Sequence, residues 1–243
     1  MATILAAKNL TLRFPGASHP VIEAFDLTVE RGEFLAVVGG SGVGKSTLLR
    51  AVAGLIGVES GTVEMFGEEA PGRRRRAIVF QDGRLMPWRT LADNIHYGLE
   101  GLNLPEAERR ERVARVLDLT GLASFAVRYP HQLSGGQAQR GGIARALAVE
   151  PDILLMDEPF SAVDAITRTS LQDELLRIWG LSGAAVLFVT HDIAEAVFLA
   201  DRVIVLAGSP AHVALDRRID APRPRERGGD HAAALGEEIE AAL

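Results

Sequence analysis

Residues 34–55 of this chain read FLAVVGGSGVGKSTLLRAVAGL, and this stretch decides the fold class. Its first six residues, 34–39, are so apolar that they predict a strand buried on both faces. The pattern from Lys45 to Leu55 predicts a helix. A buried strand joined to a helix by a short glycine-rich loop is typical of α/β proteins with a parallel sheet.

The same alternation of strands and helices continues along the chain. Further strands are predicted at 76–80, 152–157, 185–191 and 202–207, and further helices at 106–118, 135–149, 165–179 and 192–199. From about Leu85 to Glu150 the helical patterns follow one another without a strand, and we interpret this stretch as a helical insert. The stretches ILAAKNLTLRF (4–14) and EAFDLTVE (23–30) alternate in polarity, which predicts an antiparallel β edge.

The C-terminal part differs in composition, so we expect one large domain over residues 1–215 followed by an appendage over 216–243. The segment DRRIDAPRPRERGGD (216–230) is rich in Arg, Pro and Gly and is interpreted as a linker or an extended strap. The last residues predict one short helix with Leu235, Ile239 and Leu243 on one face.

Composition excludes several classes of function. With 26 basic and 32 acidic residues, the formal net charge of −6 argues against a nucleic-acid partner, which requires a basic face. The chain has no cysteine, which excludes disulfides, thiol catalysis and cysteine-bound zinc. Its apolar runs are far shorter than the ~18 residues of a membrane span, and its N-terminus lacks the pattern of a signal peptide. We therefore expect a cytoplasmic protein.

The loop after the first strand has the residues of a phosphate site. GGSGVGKST (39–47) fits G-x-x-x-x-G-K-[ST], a pattern in which backbone amides surround a phosphate and the lysine ammonium contacts the β and γ oxygens. The serine hydroxyl can ligate Mg²⁺. The alternative is a flexible Gly/Ser turn before a helix. We predict an ATP site comprising Gly39, Gly40, Ser41, Gly42, Val43, Gly44, Lys45, Ser46 and Thr47.

Further polar residues follow the ends of three predicted strands. Asp157 and Glu158 end ILLMDEP (153–159), where Asp157 would hold Mg²⁺ and Glu158 would polarise the attacking water. The alternative is that both carboxylates cap the next helix. Gln81 is suited to orienting water or the metal, so the predicted Mg²⁺ set is Ser46, Gln81 and Asp157. His191 could contact a γ-phosphate, although a lone histidine at a strand end is more often structural.

A second glycine-rich site precedes the helix predicted at 135–149. In LSGGQ, which comprises Leu133, Ser134, Gly135, Gly136 and Gln137, Ser134 stands where a helix N-cap is expected and the glycines leave the backbone amides accessible. The alternative is an ordinary capped helix whose glycines allow tight packing. Because this second site has no lysine or acidic pair of its own, it could complete the phosphate site of a second, head-to-tail copy of the chain.

These motifs, in this order and over nearly the whole chain, resemble the ATP-binding subunits of ABC transporters. The resemblance implies a P-loop NTPase fold with a RecA-like core, and an ATP-dependent dimer in which LSGGQ acts in trans. It also implies that Asp164 of SAVD (161–164) signals between the two sites and that the helical insert docks on a membrane permease. Such a protein would hydrolyse ATP with Mg²⁺ on the cytoplasmic face of the bacterial inner membrane.

A narrower resemblance, to the nitrate, sulfonate and taurine importer ATPases, rests on FQDGRLMPWRTLADNI (80–95), YPHQLSGGQ (129–137), DEPFSAVDAITR (157–168) and APRPRER (221–227). It implies an oxyanion cargo delivered by a separate substrate-binding protein. It also makes Phe14 the candidate aromatic residue for stacking on adenine. The candidate permease contacts are Leu85, Met86, Trp88 and Arg89, although Trp88 could instead be a core residue of the insert.

Some features depart from the family pattern or leave alternatives open. After the signature this chain has AQRGGIARAL in place of RQRVALARAL, with Ala138, Gly141 and Gly142 as the differences. Two glycines inside a helix weaken it unless they admit a close neighbour. The run GRRRR (72–76) predicts a surface turn rather than a lipid or nucleic-acid patch. A soluble ABC-type ATPase or an ATP-dependent switch is the alternative function.

Overall fold

In a computed structural model, which describes residues 2–161 and 163–243, the chain divides into two compact units. The first unit comprises the chain up to Gly67 together with Ala185–Leu243, and the second comprises Glu68–Ala184. Within the described residues, none of the helices has both the length and the apolar character needed to span a bilayer.

The elements alternate much as the sequence predicts. In chain order the strands are β1 (Thr3–Leu12), β2 (Ile22–Glu30), β3 (Phe34–Gly39), β4 (Ser60–Met65), β5 (Arg76–Val79), β6 (Ile153–Asp157), β7 (Ala185–Thr190), β8 (Arg202–Ala207) and β9 (His212–Arg218). The helices are α1 (Lys45–Val52), α2 (Leu91–Gly98), α3 (Glu106–Leu119), α4 (Gly135–Leu147), α5 (Ala165–Ser182), α6 (Ile193–Leu199) and α7 (Asp230–Ala241).

The first unit contains two sheets. The predicted antiparallel edge is present as a three-stranded sheet in the order β2, β1, β4. In the other sheet β7, β3 and β8 run parallel, and β9 pairs with β8 in the antiparallel direction. All residues of β3 and β7 are buried, which explains their continuous apolar sequences. Because β3 and β7 run in the same direction, their carboxyl ends lie at one edge.

Among its described residues, the second unit contains a parallel strand pair and four α-helices. β5 pairs with β6 so that Val79 lies opposite Met156. Between these strands the chain forms α2, α3 and α4, which contact one another, and α5 packs on α4 after β6. The helical insert therefore begins at Leu91, because residues 85–90 form a turn and not the first part of a helix.

Two edge strands and the C-terminal segment differ from the predictions. Neither β4 nor β9 was predicted, and most of their residues are exposed, so neither carries the hydrophobic period that identifies a strand. Because β9 extends to Arg218, the segment interpreted as a strap begins later than residue 216. Helix α7 buries Leu235 and Ile239 as expected, but Leu243 lies beyond its end and is exposed, so that part of the prediction was wrong.

The arginine run is held within the second unit. The guanidinium of Arg73 donates to the carbonyl of Glu150 at 2.8 Å, and that of Arg74 donates to the carbonyl of Glu100 at 2.8 Å. Arg75 pairs with Asp152 at 3.1 Å. These contacts bind the turn that precedes β5 to the loop between α4 and β6 and to the end of α2.

Candidate nucleotide site

The phosphate loop of the first unit is fixed tightly at both ends. It leaves β3 at Gly39, where an added Cβ would lie 2.7 Å from the carbonyl oxygen of Leu206. It enters α1 at Gly44, which caps the helix with φ of 115°, a conformation open in practice only to glycine. An added Cβ at Gly44 would also lie 2.7 Å from Cγ1 of Val21. Packing thus requires glycine at both ends of the loop, and the backbone conformation also requires it at Gly44.

Between these ends the loop is open. An added Cβ at Gly40 or Gly42 would meet no atom within 4 Å, so the loop borders free space that a ligand can occupy. Lys45 is 5% exposed, and its ammonium donates to the carbonyls of Gly39 at 2.8 Å and Gly40 at 3.0 Å. The positive charge is therefore held over the loop by the loop itself. An open curl of glycines at a helix N-terminus with a lysine above it is suited to binding phosphate oxygens.

The predicted γ-phosphate residue of this unit, His191, lies beside the phosphate loop. Val38 of β3 pairs with Thr190 of β7, so His191 and Gly39 both follow directly at the same edge. The turn after His191 is ordered, because the Thr190 hydroxyl donates to the buried Glu195 carboxylate at 2.8 Å and accepts from the Asp192 amide at 3.0 Å. His191 itself is exposed, and this position is suited to contacting a phosphate bound by the loop.

Phe14 lies on a loop that returns to the phosphate loop. The loop is closed by a hydrogen bond from the Val21 amide to the Leu12 carbonyl at 2.7 Å, and Val21 packs against the position of Gly44. The Phe14 ring is 52% exposed. An exposed ring of this kind is available for stacking on a planar ligand.

The second unit brings the other three predicted polar residues to one sheet edge. Asp157 ends β6 and is 7% exposed, and Glu158 follows it. Gln81 follows the end of β5 by two residues. Because Val79 pairs with Met156, the parallel strands deliver Gln81 and the Asp157–Glu158 pair to the same edge. This placement is the one at which open α/β sheets bind ligands.

Glu158 has a left-handed backbone with φ of 44°, which is costly for a residue with a side chain, about 1–2 kcal/mol. Its carbonyl accepts from the Ser161 hydroxyl at 2.8 Å and from the Ser161 amide at 3.2 Å, and these bonds hold the turn. Strain of this kind persists where the surrounding structure maintains it, and it is concentrated at functional sites. Neither carboxylate of the pair is a helix N-cap, because Asp164 caps α5.

The second glycine-rich site is an open, capped helix N-terminus. Ser134 is the N-cap of α4: its hydroxyl accepts from the Gln137 amide at 3.2 Å, while the Gln137 side chain accepts from the Ser134 amide at 2.9 Å. An added Cβ at Gly135 would meet nothing within 4 Å, whereas one at Gly136 would lie 3.0 Å from Thr167 of α5. Gly135 thus lies on the open side and Gly136 on the packed side.

Asp164 lies at the neighbouring helix N-terminus. It caps α5 by accepting from the Thr167 amide at 3.1 Å. The hydrogen bonds from the Thr167 hydroxyl and amide hold the pKa of the Asp164 carboxyl below its usual value, so the group is ionised at neutral pH. Ala162, within the same SAVD stretch, lies outside the described residues. Because Gly136 packs on Thr167, the N-termini of α4 and α5 are in direct contact.

The segment of residues 83–89, hereafter the 83–89 segment, contains the four candidate permease contacts. Trp88 is 72% exposed, so the alternative of a core residue was wrong. Leu85 and Met86 are half-buried. Arg89 lies over the Tyr97 ring at 4.8 Å and pairs with Glu100 at 3.6 Å. An exposed tryptophan next to half-buried apolar side chains is a candidate contact surface.

The residues that hold the 83–89 segment in place were not predicted from the sequence. Asn94 is fully buried; its amide group donates to the carbonyls of Met86, Arg89 and Thr90, and its oxygen accepts from the Met86 amide at 2.7 Å. Arg145 of α4 donates to the carbonyls of Gly83 and Arg84, both at 2.7 Å. A polar Asn94 on an otherwise apolar helix face was a usable signal, since buried amides are hydrogen-bonded.

Known proteins resemble this chain over most of its length. Residues 22–161 match the ABC transporter family. A taurine import ATP-binding protein of Chromobacterium violaceum is 44% identical over 95% of this chain and 88% of its own. An aliphatic sulfonates import ATP-binding protein of Xanthomonas axonopodis pv. citri is 45% identical over 94% and 93%, respectively.

A solved structure supports the same relationship at the level of the fold. A dimeric ATP-binding cassette in a post-hydrolysis state, bound to ADP and Pi, superimposes with a TM-score of 0.74 and 30% identity over 90% of this chain and 100% of its own. The predicted α/β P-loop NTPase fold, with its antiparallel β edge and inserted helices, is confirmed.

Proposed function

The chain belongs to the ABC transporter family and is an ATPase, and we propose that it is the ATP-hydrolysing subunit of an importer that drives a separate membrane permease. The observation that carries the proposal is the presence of two open glycine-rich sites, the loop before α1 with Lys45 and the N-terminus of α4 with Ser134 as its cap. Both are suited to phosphate, yet Lys45 accompanies only the first.

The residues of the first unit bind the nucleotide in this proposal. The amides of the loop from Gly39 to Thr47 surround the phosphates, and the Lys45 ammonium exchanges its carbonyl partners for β and γ oxygens. Phe14 stacks on the adenine, and its exposed ring supports that role. His191 contacts the γ-phosphate from the end of β7.

The residues of the second unit direct the water. Glu158 acts as the general base, and its maintained backbone strain supports a functional role. The Mg²⁺ ligands proposed from the motifs are Gln81 and Asp157 of this unit and Ser46 of the first, because an amide, a carboxylate and a hydroxyl supply the hard oxygen donors that this ion prefers. When bound, the ion neutralises charge on the β and γ oxygens.

The signature LSGGQ acts in trans. Two copies associate head to tail, so that Ser134 and Gly135 of one copy meet the γ-phosphate held by the other, and Asp164 links the two sites. The open side of Gly135 and the contact between the N-termini of α4 and α5 support this arrangement. ATP then closes the dimer, and hydrolysis opens it again.

The cargo and location follow from the relatives. Because two similar proteins are named for import of taurine and of aliphatic sulfonates, we infer that the cargo is a small oxyanion such as a sulfonate or nitrate. A separate binding protein would deliver it. The chain would then be a peripheral subunit on the cytoplasmic face of the bacterial inner membrane, where its permease contacts are Leu85, Met86, Trp88 and Arg89.

Purification from detergent-solubilised membranes tests the proposal. An affinity-tagged chain should retain an integral-membrane partner, and the Trp88→Ala variant should lose that partner while hydrolysing ATP as the isolated wild-type chain does. Because the Trp88 ring is exposed, we expect this substitution to leave folding intact. Retention of ribosomal or nucleic-acid partners, or of none, would favour the soluble alternative.

A further inference from the structure

We propose that Gly141 and Gly142 of α4 form a seat for the 83–89 segment, so that the signature and the exposed Trp88 move as one rigid body. This chain departs from the family pattern at these two residues, and their contact with the 83–89 segment explains why α4 tolerates two interior glycines. Its consequence for transport rests on the proposed function, whereas the seat itself does not.

The first observation is the close approach at both glycines. An added Cβ at Gly142 would lie 2.9 Å from the Cα of Gly83, a distance that real Cβ atoms essentially never show, and a tight 3.1 Å from the Gly83 carbonyl oxygen. Gly83 is itself restricted, because its own Cβ would lie 3.0 Å from the carbonyl oxygen of Ala138. The backbones of α4 and the 83–89 segment are therefore in direct contact, glycine against glycine.

Gly141 supports a neighbouring part of the same contact. An added Cβ there would lie 2.7 Å from Cδ1 of Leu91 and 3.2 Å from Cδ1 of Leu85. These atoms are the ends of flexible side chains and can move, whereas the backbone that faces Gly142 cannot move without displacing the segment. The two positions should thus differ strongly in their tolerance of a methyl group.

The second observation is the polar clamp around this contact. Arg145, one turn after Gly141, donates to the carbonyls of Gly83 and Arg84, and the buried Gln139 donates to the carbonyl of Phe80 at 3.3 Å. Both Gly83 and Arg84 have left-handed backbones, with φ of 66° and 43°. Such a conformation at Arg84 persists only where its surroundings maintain it, and here the surroundings are α4.

Together these contacts join two functional regions through one helix. The N-terminus of α4 carries the signature, and its middle contacts the 83–89 segment, which contains Trp88. A displacement of the signature by the partner's nucleotide would therefore be passed to Trp88 without a flexible link. A side chain at 142 would break the contact while leaving both ends intact, so that hydrolysis continues and the permease no longer responds to it.

Alanine substitutions at three helical glycines test the seat. Gly142→Ala meets backbone, Gly141→Ala meets movable side-chain ends, and Gly180→Ala in α5 meets no atom within 4 Å and serves as the control. Hydrogen exchange of the isolated full chain is measured at the amides of Gly83, Met86 and Arg89, each of which donates a hydrogen bond. We expect exchange to rise about tenfold or more in Gly142→Ala, less in Gly141→Ala, and not in Gly180→Ala.

A second variant keeps the test valid if Gly142→Ala fails to fold, as judged by far-UV circular dichroism. Arg145→Lys adds no volume and cannot donate to two carbonyls with the same planar geometry, so it should also raise exchange at the three amides. Exchange unchanged from wild type in either folded variant would overturn the seat.

Hydrolysis with the co-purified permease then tests the coupling. The isolated Gly142→Ala chain should hydrolyse ATP within about twofold of wild type, while its stimulation by the reconstituted permease falls tenfold or more. Full stimulation together with raised exchange would refute the coupling and leave the seat. If no permease co-purifies with the wild-type chain, the proposed function fails and the exchange result still decides the seat.

Discussion

Glu158, the proposed general base, has a strained backbone, and its role can be tested without changing the shape of the site. Glu158→Gln retains size and polarity but cannot accept a proton, so we expect ATP hydrolysis to fall by about 10²-fold or more while ATP binding persists. Steady-state hydrolysis and equilibrium nucleotide binding measure the two effects. Glu69→Gln, at an exposed position, is the matched control. Full hydrolysis by Glu158→Gln would remove this residue from the base role.

Burial of a second residue, Glu33, should make the free energy of unfolding depend on pH. Its carboxyl is 5% exposed; one oxygen accepts from the Glu30 amide at 2.7 Å, and the other is buried without a hydrogen bond, 3.8 Å from Arg202. Burial raises the pKa of this carboxyl above its usual value. Between the unfolded and folded pKa values the folded chain holds the extra proton, so the Glu33 contribution to stability falls as pH rises through that window.

Thermal unfolding of Glu33→Gln measures this effect. The neutral amide avoids the cost of a buried charge, so the variant should have a higher Tm than wild type at pH 8, and the difference should shrink as the pH falls towards 4.5, the usual glutamate pKa. Glu23→Gln, at an exposed position of β2, should show no such trend. A Tm difference that is the same at both pH values would contradict the assignment.

At the residue scale, the sequence predicted the motif residues but not the residues that hold the 83–89 segment in place. Lys45, Ser134 and Asp157 could be found because each is a particular chemical group at a fixed spacing from a strand or helix end. Asn94 could have been found as a polar residue on an apolar helix face, whereas Arg145 could not, because its partners are backbone carbonyls of the 83–89 segment. Every residue has a backbone carbonyl, so the sequence does not indicate which carbonyls accept hydrogen bonds from a side chain. Only the structure shows such contacts.

At the scale of elements, α6 depends on the C-terminal segment. The Arg225 guanidinium donates to the carbonyls of Val197 at 2.9 Å and Phe198 at 3.3 Å, and also to those of Ala200 and Ile219. It thereby caps the C-terminus of the helix that follows His191, and burial lowers its pKa to about 10. The segment interpreted as a strap thus acts as a helix cap.

Truncation of this arginine should be costly. Arg225→Ala leaves several carbonyls without their donor, so we expect a loss of about 2 kcal/mol in the free energy of unfolding, measured by urea denaturation. Arg31→Ala, at an exposed position, should change that free energy by less than about 0.5 kcal/mol. Equal effects of the two substitutions would show that the cap contributes nothing specific.

Strands and helices could be predicted where burial or capping leaves a recognisable pattern in the sequence. The buried strands β3, β6 and β7 were evident from their apolar runs, and α4 from its capped start. The exposed β4 and β9 were not, because their positions are specified by pairing with β1 and β8 across the sheet. The glycines of α4 likewise became interpretable only when their neighbour, the 83–89 segment, was known.

At the scale of the whole molecule, we propose that each nucleotide site is completed by a second copy of the chain. The sequence suggested it because LSGGQ lacks a lysine of its own, and the structure adds an open Gly135 at a capped helix end. Hydrolysis per chain should therefore rise with protein concentration until the dimer is saturated. Hydrolysis at the full rate by a chain shown to be monomeric during turnover would contradict the claim.

The mass of the Glu158→Gln chain in Mg²⁺ and ATP, measured by size-exclusion chromatography with light scattering, tests that claim most directly. We expect a species of twice the 26.0 kDa of one chain, carrying one ATP per chain, because hydrolysis can no longer open the closed dimer. Adding Ser134→Arg in the same background should abolish the dimer while the Lys45 loop still binds ATP. A single chain of 26.0 kDa that retains its ATP at saturating nucleotide would contradict the account.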